Sequence, residues 1–495
     1  MRINLLGAVL RPNLRHGPHV AHPSSIFCGL RRASTLPEWG LRSRLVPKLQ
    51  PTSSPIRTTW LPGQCYSVVT HKKSAVVRGH GPLFFSGNAF HAKASALPVL
   101  APPAVGRWLL FSSALVFAVI VVGGVTRLTE SGLSITEWRP ITGVIPPLNA
   151  EEWNKEFEKY KATPEFKLLN HSISLDEFKN IFYMEWGHRV LGRLIGVGFV
   201  VPLAYFAFRR RLAASMPAKL TGMALLIGFQ GFLGWYMVKS GLEDSLMETP
   251  GAVPRVSQYR LAAHLGTALL LYAGMLGTGL AAIKDWRYAR GGHWSGSQTM
   301  KWEEVLSAPT IKRFIGQSRA LTALVLLTAL SGAFVAGLDA GLQYNEFPLM
   351  GGRLIPPIDE LFASAYAKNA DGSDVWWRNI FENPTTVQFD HRLLAMTTYF
   401  STCFLYWQSR RNPIRALLPP RARMSATAAF AMANVQVLLG LATLLYLVPV
   451  PVAAAHQAGS VALLSTMVHL LVALRRPSMA AQLWRRAGVQ GKKVI

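Results

Sequence analysis

The sequence predicts an all-α polytopic membrane protein, its eight transmembrane helices arranged as two tandem four-helix bundles in a parallel internal repeat. Three observations carry this. Half of the 495 residues are hydrophobic, and they gather in eight long runs; about twenty residues suffice for a helix to cross a ~30 Å hydrocarbon layer. Basic and acidic loops alternate between the runs. The second half of the chain also repeats motifs of the first in the same order.

Residues 1–100 hold thirteen Lys/Arg against one acid, Glu38, among many Ser, Pro and His. That is the Arg-rich, acid-poor composition of a mitochondrial presequence, without the apolar core of a secretory signal. The plain alternative is a basic arm that binds anionic surfaces. The apolar runs follow at about 105–126, 188–208, 218–239, 260–283, 320–338, 391–408, 425–447 and 452–474. In lipid a backbone must satisfy its own hydrogen bonds, and these runs are too long and unbroken for barrel strands, so they are helices.

The net charge of +27 does not point to nucleic acid, because it sits in the leader and in alternate loops. Arg209, Arg210, Arg211 and Lys219 join helices 2 and 3, and seven Lys/Arg lie in 284–319. Arg410, Arg411, Arg415, Arg421 and Arg423 join helices 6 and 7. By contrast, 339–382 carries Asp339, Glu346, Asp359, Glu360, Asp371, Asp374 and Glu382 against Arg353, Lys368 and Arg378. The positive-inside rule puts both termini on the basic side. In a mitochondrion that is the matrix, with 127–187 and 338–390 facing the intermembrane space. The expected units are a first bundle at 105–283, a matrix linker at 284–319, a second bundle at 320–474 and a basic matrix tail at 475–495. Cys28, Cys65 and Cys403 form no close pair in sequence, so neither a disulfide framework nor a thiolate metal site is supported.

The repeat is explicit. "GGVTRLTESGLSITEWRPITGVIPP" (123–147) follows helix 1 and "GAFVAGLDAGLQYNEFPLMGGRLIPP" (332–357) follows helix 5. "MEWGHRVLG" (184–192) is matched by "VQFDHRLLA" (387–395), and "RLAAHLGTALLL" (260–271) by "PVAAAHQAGSVALL" (451–464). With an even number of helices per half, the repeats share one orientation.

Four of the five histidines in the spans, His188, His264, His391 and His456, open helices 2, 4, 6 and 8 at matched depth near the outer leaflet. Intramembrane polar residues are costly and usually functional. Two facing imidazoles in a bundle suit bis-histidine ligation of a haem iron. A single intramembrane histidine more often just bonds a neighbouring helix, which is the reading given to His469. Gly192, Gly196, Gly228, Gly231 and Gly234 leave room for a flat ring or serve close helix packing. Arg189 and Arg392 either reach haem propionates or snorkel to the interface. Three residues ahead of its histidine, and so on nearly the same helix face, the first half has Glu185 where the second has Gln388. A carboxylate at one site only suggests that the first half does chemistry and the second supports it with electrons; a helix-end charge is the plainer role.

From about residue 105 to 475 the chain resembles haem A synthase of the mitochondrial type, through "TRLTESGLSITEWRPITG", "EWGHR", "RVSQYRLAAHLG", "AGLDAGLQYNEFPLMGG", "FDHR" and "AAAHQAGS". The resemblance implies an eight-helix inner-membrane oxidoreductase acting on a CH3 group. It would oxidise the C8 methyl group of haem O to a formyl group by two successive hydroxylations, giving haem A for cytochrome c oxidase. It further implies that His188 and His264 hold the substrate haem, that His391 and His456 hold a haem B cofactor, and that Glu185 is the catalytic carboxylate, acting on a cationic carbon or as a proton shuttle. The implied partners are haem O, a ferredoxin-type electron donor or acceptor, haem O synthase, cytochrome c oxidase assembly factors and membrane lipid, with a homo-oligomer also allowed. The cysteine pair that many bacterial relatives carry in an outer loop is missing here, so thiol chemistry in that loop is not expected. Two other readings compete. A di-haem cytochrome b carrying electrons across the membrane would want haems at two depths, and a parallel-repeat transporter would want broken helices.

Overall fold

The structure, a computed structural model, describes residues 97–139, 142–248 and 253–491, with side chains to 488. The expected leader, with Cys28 and Cys65, falls outside these residues as far as 96. Eight long helices dominate: α1 (Pro103–Leu128), α2 (Leu175–Phe208), α3 (Met216–Gly241), α4 (Gln258–Ala289), α5 (Pro309–Gly337), α6 (Pro384–Arg410), α7 (Pro420–Leu445) and α8 (Val450–Ala473). Six of them, all but α2 and α4, place a proline in the first turn, where its missing N–H has no intrahelical partner to lose.

Among the described residues, seven helices are long and apolar enough to cross a membrane. α6 is not among them. Its 27 residues would reach about 40 Å at 1.5 Å per residue, but its first turns read Thr385, Thr386, Gln388, Asp390, His391 and Arg392. Polar side chains lower its hydropathy, and several of them are buried against neighbouring elements.

α2 begins earlier than the apolar run indicates, at Leu175 rather than 188. Ser174 and Glu177 form a capping box, with Ser174 Oγ accepting from the Glu177 amide at 3.3 Å and the Glu177 carboxylate from the Ser174 amide at 2.9 Å. The added turns are half polar, and their inner face is aromatic. Phe178 and Phe182 pack on Trp153, Phe157 and Tyr160 of the outer helix Ala150–Lys161, with the Tyr160 and Phe178 rings stacked at 5.1 Å. Much of the expected outer segment 127–187 is therefore helical.

The linker is shorter than expected, because α4 continues to Ala289 and α5 starts at Pro309. Its first charges tie helices together. Lys284 Nζ donates to the carbonyls of Val472, Ala473 and Arg475 at 2.8–2.9 Å, and Asp285 accepts two bonds from Arg475 at 3.0 Å. The end of α4 thus caps the end of α8, satisfying carbonyls that a helix C-terminus leaves without partners. The tail folds into a further helix, Met479–Gly491, against α4.

α1, α2, α3 and α4 contact one another in a closed ring, and so do α5, α6, α7 and α8. The halves meet where α1 and α4 touch α8 and α4 touches α5. Leu109, Met275, Val461, Leu464 and Met467 are buried there, and Tyr272 shares a 2.7 Å hydrogen bond with Ser465 across the seam. Gly106 allows α1 and α4 to approach: a Cβ there would lie 2.6 Å from the Ile283 side chain and 3.0 Å from the Gly279 carbonyl.

Candidate functional site

α2 puts Glu185, His188 and Arg189 one turn apart on one side of the helix. Glu185 is buried, 3% exposed. One carboxylate oxygen accepts from Ser134 Oγ at 2.7 Å and from the Ile135 amide at 2.8 Å; the other accepts from Arg189 Nε at 3.0 Å and Nη2 at 2.6 Å. Arg189 also donates to the carbonyls of Ile135 and Glu137. Charge-assisted bonds of this kind are the strong ones. Together the pair clamps the outer segment 134–137 onto α2. Glu185 lies ten residues into the helix, so a charge at the helix N-terminus is not its role. In that segment Glu137 is held below the usual carboxylate range by the Lys159 ammonium, with Arg139 adding to the effect.

The second half keeps the clamp without the acid. Arg392 donates to the carbonyls of Tyr344 and Leu349 at 2.9 and 3.0 Å, and Gln388 Nε2 donates to Tyr344 at 3.0 Å. Gln388 Oε1 and Arg392 Nε are buried without partners. Both arginines are committed to loop carbonyls, so neither reaches out as a free interfacial cation.

All four histidines are partly buried, and each is seated against a glycine of the helix that precedes its own. A Cβ would lie 2.7 Å from His188 Cε1 at Gly123 and 3.5 Å from His264 Cε1 at Gly234. The corresponding distances are 3.3 Å from His391 Cε1 at Gly332 and 2.9 Å from His456 Cε1 at Gly440. α2 stands opposite α4 in the first ring and α6 opposite α8 in the second, so each ring carries two of the four histidines on opposite helices, while His469 is exposed on α8. Ser331 Oγ lies 2.7 Å from His391 Nδ1. With its amide nitrogen turned toward the imidazole, Gln230 donates to His264 Nδ1 at 2.8 Å. The Nδ1 atoms of His188 and His456 are buried without a partner.

Gln230 and Ser331 escaped the reading of the sequence, as did the pairing of each imidazole with a glycine. A signal was available: Gln230-x-x-x-Gly234 on α3 recurs as Gln436-x-x-x-Gly440 on α7, and Gln436 Nε2 donates to the His456 carbonyl at 2.8 Å. Of the expected room-making glycines only Gly234 meets an imidazole. A methyl group at Gly192, Gly228 or Gly231 would meet nothing within 4 Å, so close helix packing is not what they serve.

These residues fit a haem. Among the described residues no three His, Cys, Asp or Glu side chains gather as a bare-ion site would need. What each half offers is two imidazoles, which would suffice to hold a haem iron.

Comparison with known proteins agrees. A family model described as cytochrome oxidase assembly protein, COX15-CtaA, matches residues 106–468. The chain belongs to the COX15-CtaA family. Haem A synthase COX15 of Homo sapiens is 44% identical over 437 residues, 87% of this chain and 95% of that one. Haem A synthase COX15 of Saccharomyces cerevisiae is 46% identical over 373 residues, 75% and 76% of the two chains. A haem A synthase–mitochondrial ferredoxin fusion protein of Schizosaccharomyces pombe is 49% identical over 367 residues, which span 74% of this chain and 59% of the fusion. The resemblance to haem A synthase drawn from the motifs holds at the level of family and function.

Proposed function

We propose that this member of the family oxidises the C8 methyl group of haem O to the formyl group of haem A, by two successive hydroxylations of which the second gives a geminal diol that loses water. The observation that carries the assignment is the pair of matched two-imidazole sites, of which only the first has a carboxylate one turn from its histidine. In this reading the eight long helices all cross the mitochondrial inner membrane as two tandem bundles. Both termini lie in the matrix, and residues 1–100 serve import.

His188 and His264 hold the substrate haem, and His391 and His456 hold haem B. Haem B, when bound, supplies one-electron redox chemistry. The protein's residues do the rest. Ser331 fixes the orientation of His391, and Gln230 that of His264, in the way that partners of a ligating imidazole usually set its tautomer and angle. Arg189 and Arg392 hold the outer loop segments over their sites, and propionate contact falls to whichever of their N–H groups faces the ring edge. Glu185 is the catalytic carboxylate, held in one orientation by four donors; it stabilises positive charge at the oxidised carbon or moves its proton. The open faces at Gly192, Gly228 and Gly231 give a macrocycle room beside α2 and α3. An electron partner of ferredoxin type is supported by the fused relative.

The test is the haem content of the purified protein, extracted and separated by type. Haem B together with haem O or haem A is expected. Haem B alone would mark an electron carrier instead.

A further inference from the structure

The end of α4 that lies away from the histidines meets the start of α7 around an open recess of about 400 Å³, lined by Trp286, Arg287, Arg290, His293, Gly296 and Arg421. Along α4 it stands about 35 Å from His264 at 1.5 Å per residue, so it belongs to neither histidine pair. Its walls are tied down. Trp294 Nε1 donates to the Arg475 carbonyl at 3.2 Å, and the Arg421 amide donates to the Ser295 carbonyl at 3.2 Å. Arg485 Nη1 donates to the Gly292 carbonyl at 2.7 Å, and a Cβ at Gly296 would lie 3.4 Å from Arg421 Cγ. Its charge is not balanced. Asp285 is committed to Arg475 at 3.0 Å, and among the described residues no ion pair includes Arg287, Arg290 or Arg421. Arg290 lies over the Trp286 ring, 4.3 Å from its centroid, which holds that guanidinium at the rim without neutralising it.

We propose that this recess binds the headgroup of an anionic phospholipid, with its phosphodiester oxygens taken by Arg287, Arg290 and Arg421. Planar guanidinium forks match phosphate oxygens two at a time, and the exposed His293 adds a ring N–H to the same rim. Three cations exceed what one phosphodiester balances, so a headgroup with two phosphates, of the cardiolipin type, fits the site best. The position suits a lipid rather than a soluble anion. α4 and α7 are both long and apolar enough to cross a membrane, the recess lies at their ends, and Trp286 there is the kind of side chain that sits at headgroup level. Basic pockets between transmembrane helices on the matrix or cytoplasmic side are the usual seats of such headgroups, and the topology proposed above puts this one in the matrix leaflet. The site asks nothing of the haems, so its occupancy stands or falls apart from the haem oxidation.

The test is lipid binding by the full-length protein in detergent, freed of native lipid and titrated separately with tetraoleoyl cardiolipin, dioleoyl phosphatidylcholine and inorganic phosphate. Native mass spectra count what stays bound. Wild type should hold cardiolipin more tightly than phosphatidylcholine by roughly tenfold or more. Arg287→Gln, Arg290→Gln and Arg421→Gln should each weaken cardiolipin by roughly fivefold, and the triple variant by roughly a hundredfold, the usual contribution of basic residues next to an anionic lipid. Phosphatidylcholine binding and haem content should stay as in wild type. Equal retention of the two lipids by wild type would overturn the proposal. So would wild-type cardiolipin affinity in both Arg287→Gln and Arg290→Gln, whose side chains are exposed and whose loss leaves the walls intact. Those two single variants decide the matter if the triple variant loses its haem. Inorganic phosphate bound as tightly as cardiolipin would mark a site for free anions and sink the lipid assignment.

Discussion

At the residue scale, the contrast between Glu185 and Gln388 is what would give the two halves different chemistry. Gln388 shows that the fold accepts an amide at this position: it turns its nitrogen to the Tyr344 carbonyl and leaves Arg392 to hold the loop. Glu185→Gln should therefore retain both haems, while haem A production falls by about 10²–10⁴, the usual contribution of an acid–base group. Haem O or the singly hydroxylated intermediate should accumulate in extracts, whereas Gln388→Glu should leave the product unchanged. Normal haem A output from Glu185→Gln would reduce the carboxylate to a loop clamp. The glycines give a second, graded expectation. Gly440→Ala and Gly123→Ala would press a methyl group to 2.9 and 2.7 Å of His456 and His188, so each should lose the haem of its own pair. Gly234→Ala, at 3.5 Å, meets ordinary contact and should bind haem normally; absorption spectra of the three variants would check the order.

At the element scale, hydropathy reports what faces lipid and misses what faces protein. It found seven of the long helices by their apolar surface. It placed α6 only from residue 391 onward, because Thr386, Gln388 and Arg392 in the outer turns bond carbonyls of the outer loop. It cut α2 short because the extension Leu175–Gly187 buries an aromatic stripe under polar residues, a pattern that only the Ser174–Glu177 capping box announces. The four histidines stand out because the repeat writes their motifs twice. Ser331 does not, since it occurs in only one half, and the glycine contacts depend on helix rotation. The outer helix Pro164–Leu168 also carries a pH dependence, because burial raises its Glu165 to about 8. Below about 4.5, the ordinary Glu value, Glu165 is protonated folded or unfolded. As the pH rises from there to about 8 the unfolded segment ionises and the folded one does not, so folding of this region becomes progressively less favourable. Protection against hydrogen exchange across 150–170, taken relative to the intrinsic amide rate at each pH, should therefore fall between pH 5 and 8, and Glu165→Gln should flatten the trend; pH-independent protection in wild type would remove Glu165 as its cause.

At the scale of the whole molecule, two rings of four helices share the seam of α1, α4, α5 and α8, and the outer loops are clamped over their histidine ends. By the positive-inside rule the basic loops would face the matrix. Protease added to mitoplasts should cut within 142–174 and 339–383 and spare the Arg410–Arg423 loop; the opposite pattern would invert the topology. The central claim is that the two rings hold different haems, substrate in the first and cofactor in the second. The most direct measurement is the type-resolved haem content of purified His456→Ala. Loss of haem B with haem O or haem A retained is the expected result. Haem B retained, with haem O and haem A lost, would contradict it.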